Sequence, residues 1–148
     1  MGVDGRFVKF LAQELNEILY SGRIQKISQI SKTDFLFFVR ANNHNQKLYI
    51  SLSTSLARIN ITNKDYPNDF TPGGFCMFLR KYFEGGIIQS IQALNDDRIV
   101  EFTIENKNDL GDVVTLHLVV EMFSRYTNMI LLDNDKTIIN AFKHISPF

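Results

Sequence analysis

The 148-residue chain has no tryptophan, one cysteine, three prolines and equal numbers of acidic and basic residues. With Cys76 alone, no internal disulfide framework can form, and the chain suits a reducing compartment. No apolar run approaches the roughly 18 residues of a membrane-spanning helix. The opening MGVDGRFVKFLAQELNEIL carries charge throughout and lacks the apolar stretch and small-residue cleavage site of a signal peptide. A cytoplasmic location is therefore expected. Gly2 does not announce myristoylation, because Arg6 stands where a hydroxyl residue is required.

Zero net charge gives no overall sign of a nucleic-acid binder, but the charge is unevenly spread. Residues 1–58 hold eight Lys/Arg and four acids, a net +4, which leaves −4 for the remainder. Local field rather than total charge attracts phosphate, so a basic face is allowed. What the chain has in plenty is apolar bulk: 45% hydrophobic residues, with 13 Phe and 5 Tyr. That is enough for one core in one domain of ordinary size.

The pattern predicts two helices among about nine short strands. Phe7, Leu11, Leu15, Ile18 and Leu19 form a stripe behind Asp4 as N-cap, and Gly22 suits a left-handed end. A second helix is expected with Thr71 as N-cap and Pro72 at its first position. Its stripe reads Phe75, Phe78, Leu79, Tyr82 and Phe83, the spacing of a buried face, with Cys76 beside it as an inert packed thiol. Strand patterns occupy 23–30, 35–41, 47–51, 57–61, 87–93, 98–104, 113–122, 128–132 and 138–142. Asn42-Asn43-His44-Asn45 reads as a hairpin turn, with His44 solvated. In 113–122 the even positions are more apolar, so Glu121 points away from that face. The fold class expected is α+β: antiparallel, β-sandwich-like sheets carrying two main helices.

Catalytic motifs are missing. Gly73-Gly74 and Gly85-Gly86 bracket a helix rather than cradle a phosphate. Three scattered histidines (His44, His117 and His144) and one cysteine do not have metal-ligand spacing. No serine sits on a glycine-flanked elbow. Asp96, Asp97 and Glu101 are near neighbours, and acids grouped at a turn are usually solvated. NDDRIVEF (95–102) poses the sharper question, since Asp97 and Arg98 stand at the mouth of a strand. They form either a self-neutralising turn pair or a site. Exposed ion pairs contribute only about 0–1 kcal/mol, a weak reason for a turn pair, and from motifs alone both readings stay open.

Three segments taken together carry a resemblance: P-x-x-FCMFLRKYFEGG (72–86), DRIVEF (97–102) and EMFSRYTNMILLD (121–133). With Asp4-Gly5-x-Phe7, SGRIQKI (21–27) and SLARI (55–59), they resemble the N-terminal domain of the NFACT family. This family comprises the fibronectin-binding protein A-like proteins and RqcH-like ribosome quality-control factors. The resemblance covers essentially the whole chain and implies that 1–148 is one such domain from a longer multidomain protein. It also implies a fold similar to the N-terminal domain of formamidopyrimidine-DNA glycosylases. The chain departs from the family at Ile87 (usually Arg), Ser124 (Gly), Thr127 (Ser) and Gly73-Gly74 (bulkier residues).

The family implies a binding module, not an enzyme, with no cofactor and no metal. Its expected partners are tRNA and a large ribosomal subunit carrying a stalled peptidyl-tRNA, on which alanine tailing of the nascent chain is promoted. The ribosome would perform peptide transfer. Carried over by position, the tRNA-binding residues are Asp97, Arg98, Asp4 and Glu121, with Arg125 as a phosphate contact. Arg98 offers a planar fork of donors to a phosphate or base edge, and Asp97 can accept from a base amino group or ribose hydroxyl. Two alternatives stay open: a fibronectin-binding surface protein exported non-classically, and a glycosylase-like nucleic-acid binder. The latter would lack lyase activity, because Met1-Gly2-Val3 replaces the glycosylase Pro-Glu start.

Overall fold

The structure, a computed structural model, describes residues 5–95, 97–123 and 125–144. Two helices, each leading a run of strands, follow along them: α1 (Gly5–Leu19), β1 (Arg23–Gln29), β2 (Asp34–Ala41), β3 (His44–Ser51), β4 (Arg58–Ile61), α2 (Gly74–Phe83), β5 (Ile87–Ala93), β6 (Ile99–Lys107), β7 (Val113–Phe123), β8 (Tyr126–Leu132) and β9 (Ile138–Ala141). The α+β expectation holds, but the strands form one sheet, ordered β4-β3-β2-β1-β5-β6-β7-β8-β9. Every adjacent pair is antiparallel. Two meanders are thus joined at β1 and β5.

The two ends of this sheet meet. The Thr127 hydroxyl donates to the Leu52 carbonyl at 2.5 Å, and the Phe35, Phe75 and Phe142 rings meet edge to face at 5.8–6.0 Å. A single apolar cluster draws on both meanders and both helices.

The β1–β5 seam is narrow. Arg23 pairs with Ile87, backbone hydrogen bonds join Ser21–Ile24 to Gly85–Ile88 around that pair, and past Ile24 the strands part. Backbone groups exposed by that divergence need other partners, and helix side chains supply them. Glu84 accepts from the Ile27 N–H at 2.9 Å, and Arg80 Nε donates to the Ile27 carbonyl at 2.9 Å. Asn16 of α1 accepts from the Ile91 N–H at 2.8 Å. Both helices therefore seal the seam as well as cover the core.

The helix details correct several expectations. In α1 the buried positions are Val8, Ala12, Leu15 and Leu19, whereas Phe7 is 53% and Ile18 37% exposed. The stripe is shifted because the small Ala12 lets the helix approach the sheet, a property that a hydrophobicity count misses. Ser21 (φ 61), not Gly22, takes the left-handed position. Gly22 is required for space: a Cβ there would lie 2.7 Å from Val39 Cγ1. The N-cap of α2 is Gly73, without a side-chain cap, so Thr71 and Pro72 precede the helix. The Gly73 N–H donates instead to Gln29 Oε1 at 2.8 Å. Cys76 is fully buried on the α2 core face with Leu79 and Phe83, and burial pushes its thiol up, while Phe78 is 39% exposed.

Candidate functional site

The β5–β6 turn begins at Leu94. Asn95 adopts φ 54, a left-handed conformation that Asn tolerates, and the Asp97 N–H closes back on the Leu94 carbonyl at 3.0 Å. Asn95 supplies the left-handed residue of the turn, and Asp97 closes it through its backbone N–H. Asp97 Oδ1 accepts from the Arg98 backbone N–H at 2.8 Å. Among the described residues no ion pair joins the Asp97 carboxylate to the Arg98 guanidinium.

Arg98 is held at both ends. Its carbonyl accepts from the Met122 N–H at 2.9 Å, which starts the β6–β7 ladder. Its guanidinium lies 5.5 Å from the centre of the Phe123 ring. That cation–π contact restrains the side chain through its face and leaves the edge N–H groups pointing in the guanidinium plane. Both Asp97 and Arg98 are half-buried.

The neighbouring β7–β8 hairpin brings other predicted residues to the same end of the sheet. Glu121 stands opposite Ile99 of β6 on one side and Asn128 of β8 on the other. It is half-buried, and burial pushes its carboxyl above the ordinary carboxylate range. Arg125 is exposed in the hairpin turn, which the Phe123–Tyr126 pair closes. The structure thus groups Asp97, Arg98, Glu121 and Arg125 around two adjacent turns. Asp4, both as N-cap and as site residue, lies outside the described residues, as do Asp96 and Ser124.

Sequence reasoning missed Phe123, the platform under Arg98, and Tyr126, whose ring lies 5.7 Å from Lys143 Nζ. The available signal was a pair of aromatics flanking the hairpin turn. Glu101 is a correction: expected to be solvated, it is only 2% exposed. Lys136 Nζ contacts its Oε2, with His117 Nδ1 at 3.4 Å from the same oxygen. Burial of an anion requires such partners. A cavity of about 350 Å3, lined in part by Lys81, Lys107, Asp109 and Asp133, lies at the far end of β6 and holds none of the predicted residues. Among the described residues no group of three or more His, Cys, Asp or Glu is placed to hold a metal. No helix among them is long and apolar enough to cross a membrane.

Comparison with known proteins agrees with the motif order and the antiparallel fold. Residues 4–148 match the family described as NFACT N-terminal and middle domains. The chain belongs to the NFACT family. It is 43% identical over 148 residues to the Rqc2 homolog RqcH of Bacillus subtilis, covering 99% of this chain and 26% of that protein. The chain therefore spans about a quarter of that relative's length. Two solved structures are similar. The N-terminal part of the fibronectin/fibrinogen-binding protein of Streptococcus suis has a TM-score of 0.94 and 37% identity, covering 99% of this chain and 55% of that one. The N-terminal domain of the fibronectin-binding protein PavA of Streptococcus pneumoniae has a TM-score of 0.92 and 35% identity, covering 98% and 55%.

Proposed function

We propose that this NFACT domain is a tRNA-positioning module of a ribosome quality-control factor. Its role is to help a large ribosomal subunit with a stalled nascent chain acquire tRNA for alanine tailing. The kinship with a protein named Rqc2 homolog RqcH supports the setting. The observation that carries the site is the arrangement of Arg98: its backbone is fixed in the ladder, its guanidinium rests on Phe123, and the neighbouring carboxylate is committed through Oδ1 to the backbone.

A fork restrained before binding loses less rotamer freedom on meeting a phosphate or base edge. Asp97 retains a second carboxylate oxygen to accept from a base amino group or ribose hydroxyl. Arg125 supplies a phosphate contact, and Asp4 and Glu121 complete the set carried over from the family. The ribosome performs peptide transfer, and this chain contributes binding alone, without a cofactor.

The test is equilibrium tRNA binding by the wild type and by Asp97→Ala/Arg98→Ala, with circular dichroism to verify folding. Loss of about 1–3 kcal/mol of binding by the folded variant supports the reading. Unchanged binding removes the site. The names of the two solved structures favour fibronectin as a second partner, and fibronectin run in parallel separates the readings. Binding of fibronectin without tRNA would replace the proposed function.

A further inference from the structure

The face of β1–β4 turned away from the core gathers cations from four strands. Residues paired across an antiparallel ladder share a face. Phe35, Phe37 and Val39 of β2 enter the core, so Asp34, Leu36, Phe38 and Arg40 take the other side. Arg40 pairs with Arg23 and Asn45, Phe38 pairs with Lys26 and Lys47, and Ser51, opposite Asp34, pairs with Arg58. Arg23 and Lys26, three apart, would point to opposite faces of a regular strand. An irregularity between Ile24 and Lys26 inserts one residue and turns both outward.

Five cations of β1–β4 thus share this face with two occupied carboxylates, Asp34 and Asp65, and the exposed Glu105 of β6 lies beyond Ile87 at the Arg23 edge. Asp34 accepts from the hydroxyls of Tyr49, Ser51 (2.7 Å) and Thr33 (2.8 Å). Asp65 pairs with Lys47 at 2.6 Å. Arg23, Lys26 and Arg40 are exposed. The aromatic rings lie beneath cations: Lys26 Nζ is 5.6 Å from the Phe38 ring and Arg58 Cζ is 4.6 Å from the Tyr49 ring. Arg58 Nε is buried with no hydrogen-bond partner among the described residues. In a chain of zero net charge this concentration is local and one-sided. With its rings covered by cations, the face offers charge rather than bare stacking surface.

We infer that the outer face of β1–β4 is a second RNA-binding surface, one that holds the sugar–phosphate backbone without reading sequence. This rests on the proposed function, in which the chain engages RNA, but it uses different residues from the Asp97–Arg98 site. Several phosphates can be met at once across four strands, and the arginine forks match phosphate geometry.

The experiment measures binding of the full chain to a poly(A)·poly(U) duplex between about 50 and 200 mM salt. Variants are Lys26→Gln/Arg40→Gln, which changes two exposed side chains, and Asp97→Ala/Arg98→Ala; circular dichroism verifies that each folds. The first is expected to bind the duplex on the order of tenfold more weakly at low salt, with a salt slope shallower by about 1.4–1.8. The second is expected to hold the duplex as the wild type does while losing tRNA. If Lys26→Gln/Arg40→Gln matches the wild type in affinity and slope, or the wild type fails to bind the duplex at low salt, the inference is overturned. Equal binding of poly-glutamate would make the face a site for acidic protein and would also overturn it. Retention of tRNA by Asp97→Ala/Arg98→Ala, with duplex lost by the other variant, would sink the turn site and leave this surface standing.

Discussion

Glu84, at the end of α2, accepts a hydrogen bond from the Ile27 backbone N–H at 2.9 Å, doing for β1 what a neighbouring strand would otherwise do. Arg80, one turn earlier, completes the substitution by donating to the Ile27 carbonyl. The conspicuous helix motif ending RKYFEGG thus has a structural role, sealing the place where the two meanders part. Glu84→Ala should leave the Ile27 N–H unpartnered and cost about 1–3 kcal/mol of unfolding free energy in a urea titration. Affinity for tRNA should be unchanged under conditions where the variant is folded.

A second prediction concerns the buried Glu101. Lys136→Met removes the ammonium that contacts this nearly inaccessible carboxylate. Stability should fall by on the order of 1–3 kcal/mol, since a buried anion left without its cation is costly. In a Glu101→Gln background the same change should cost much less. A double-mutant cycle gives the coupling, and additive effects would mean that the contact contributes nothing.

The pH dependence of stability follows from His117. Burial, reinforced by Lys136, holds its imidazole below the ordinary value of 6.5, while Glu101 and Asp133 pull the other way. The unfolded chain therefore accepts a proton that the folded chain resists. This contribution is fully present above pH 6.5 and is lost as pH falls through the depressed folded value. Glu121 acts in the opposite sense: its raised carboxyl contributes most below the ordinary 4.5 and less as pH rises through the folded value. His117→Gln should flatten the stability profile below pH 6.5, and Glu121→Gln should add stability near neutral pH but not at about pH 4. Urea midpoints across pH decide both.

Phe123 supplies a further test of the site. Phe123→Leu keeps bulk but removes the ring face under Arg98. Affinity for tRNA should drop by roughly twofold to fivefold, the worth of an exposed cation–π contact of about 0.5–1 kcal/mol. Arg98→Lys should not restore binding to a level above that of Phe123→Leu, because an ammonium lacks the planar fork. A lysine variant with wild-type affinity would show that only charge matters.

The strands were readable because alternation survives in short windows: all nine patterns correspond to strands. The hairpin expected at Asn42-Asn43-His44-Asn45 was readable in part: Asn42 and Asn43 occupy the left-handed region that such a turn demands (φ 51 and 64), whereas His44 and Asn45 already belong to β3. The helix faces were less so. Phe7 and Ile18 look like core residues, yet the small Ala12 marks the line of closest approach. Glu101 was misread because its partners, His117 and Lys136, lie 16 and 35 residues further along the chain. Adjacency also hid what Asp97 does: a carboxylate beside an arginine suggests an ion pair, whereas the turn directs one oxygen to the backbone N–H. The motif order carried the family and the site candidates, and no local pattern would have replaced it.

The most direct test of the central claim is the salt dependence of tRNA affinity for the wild type and Arg98→Ala. Arg98→Ala should bind more weakly, with a slope of log affinity against log salt shallower by about 0.7–0.9, one phosphate contact fewer. Superimposable lines for two folded proteins would contradict it, and Asp97-Arg98 would then be no more than the mouth of a strand.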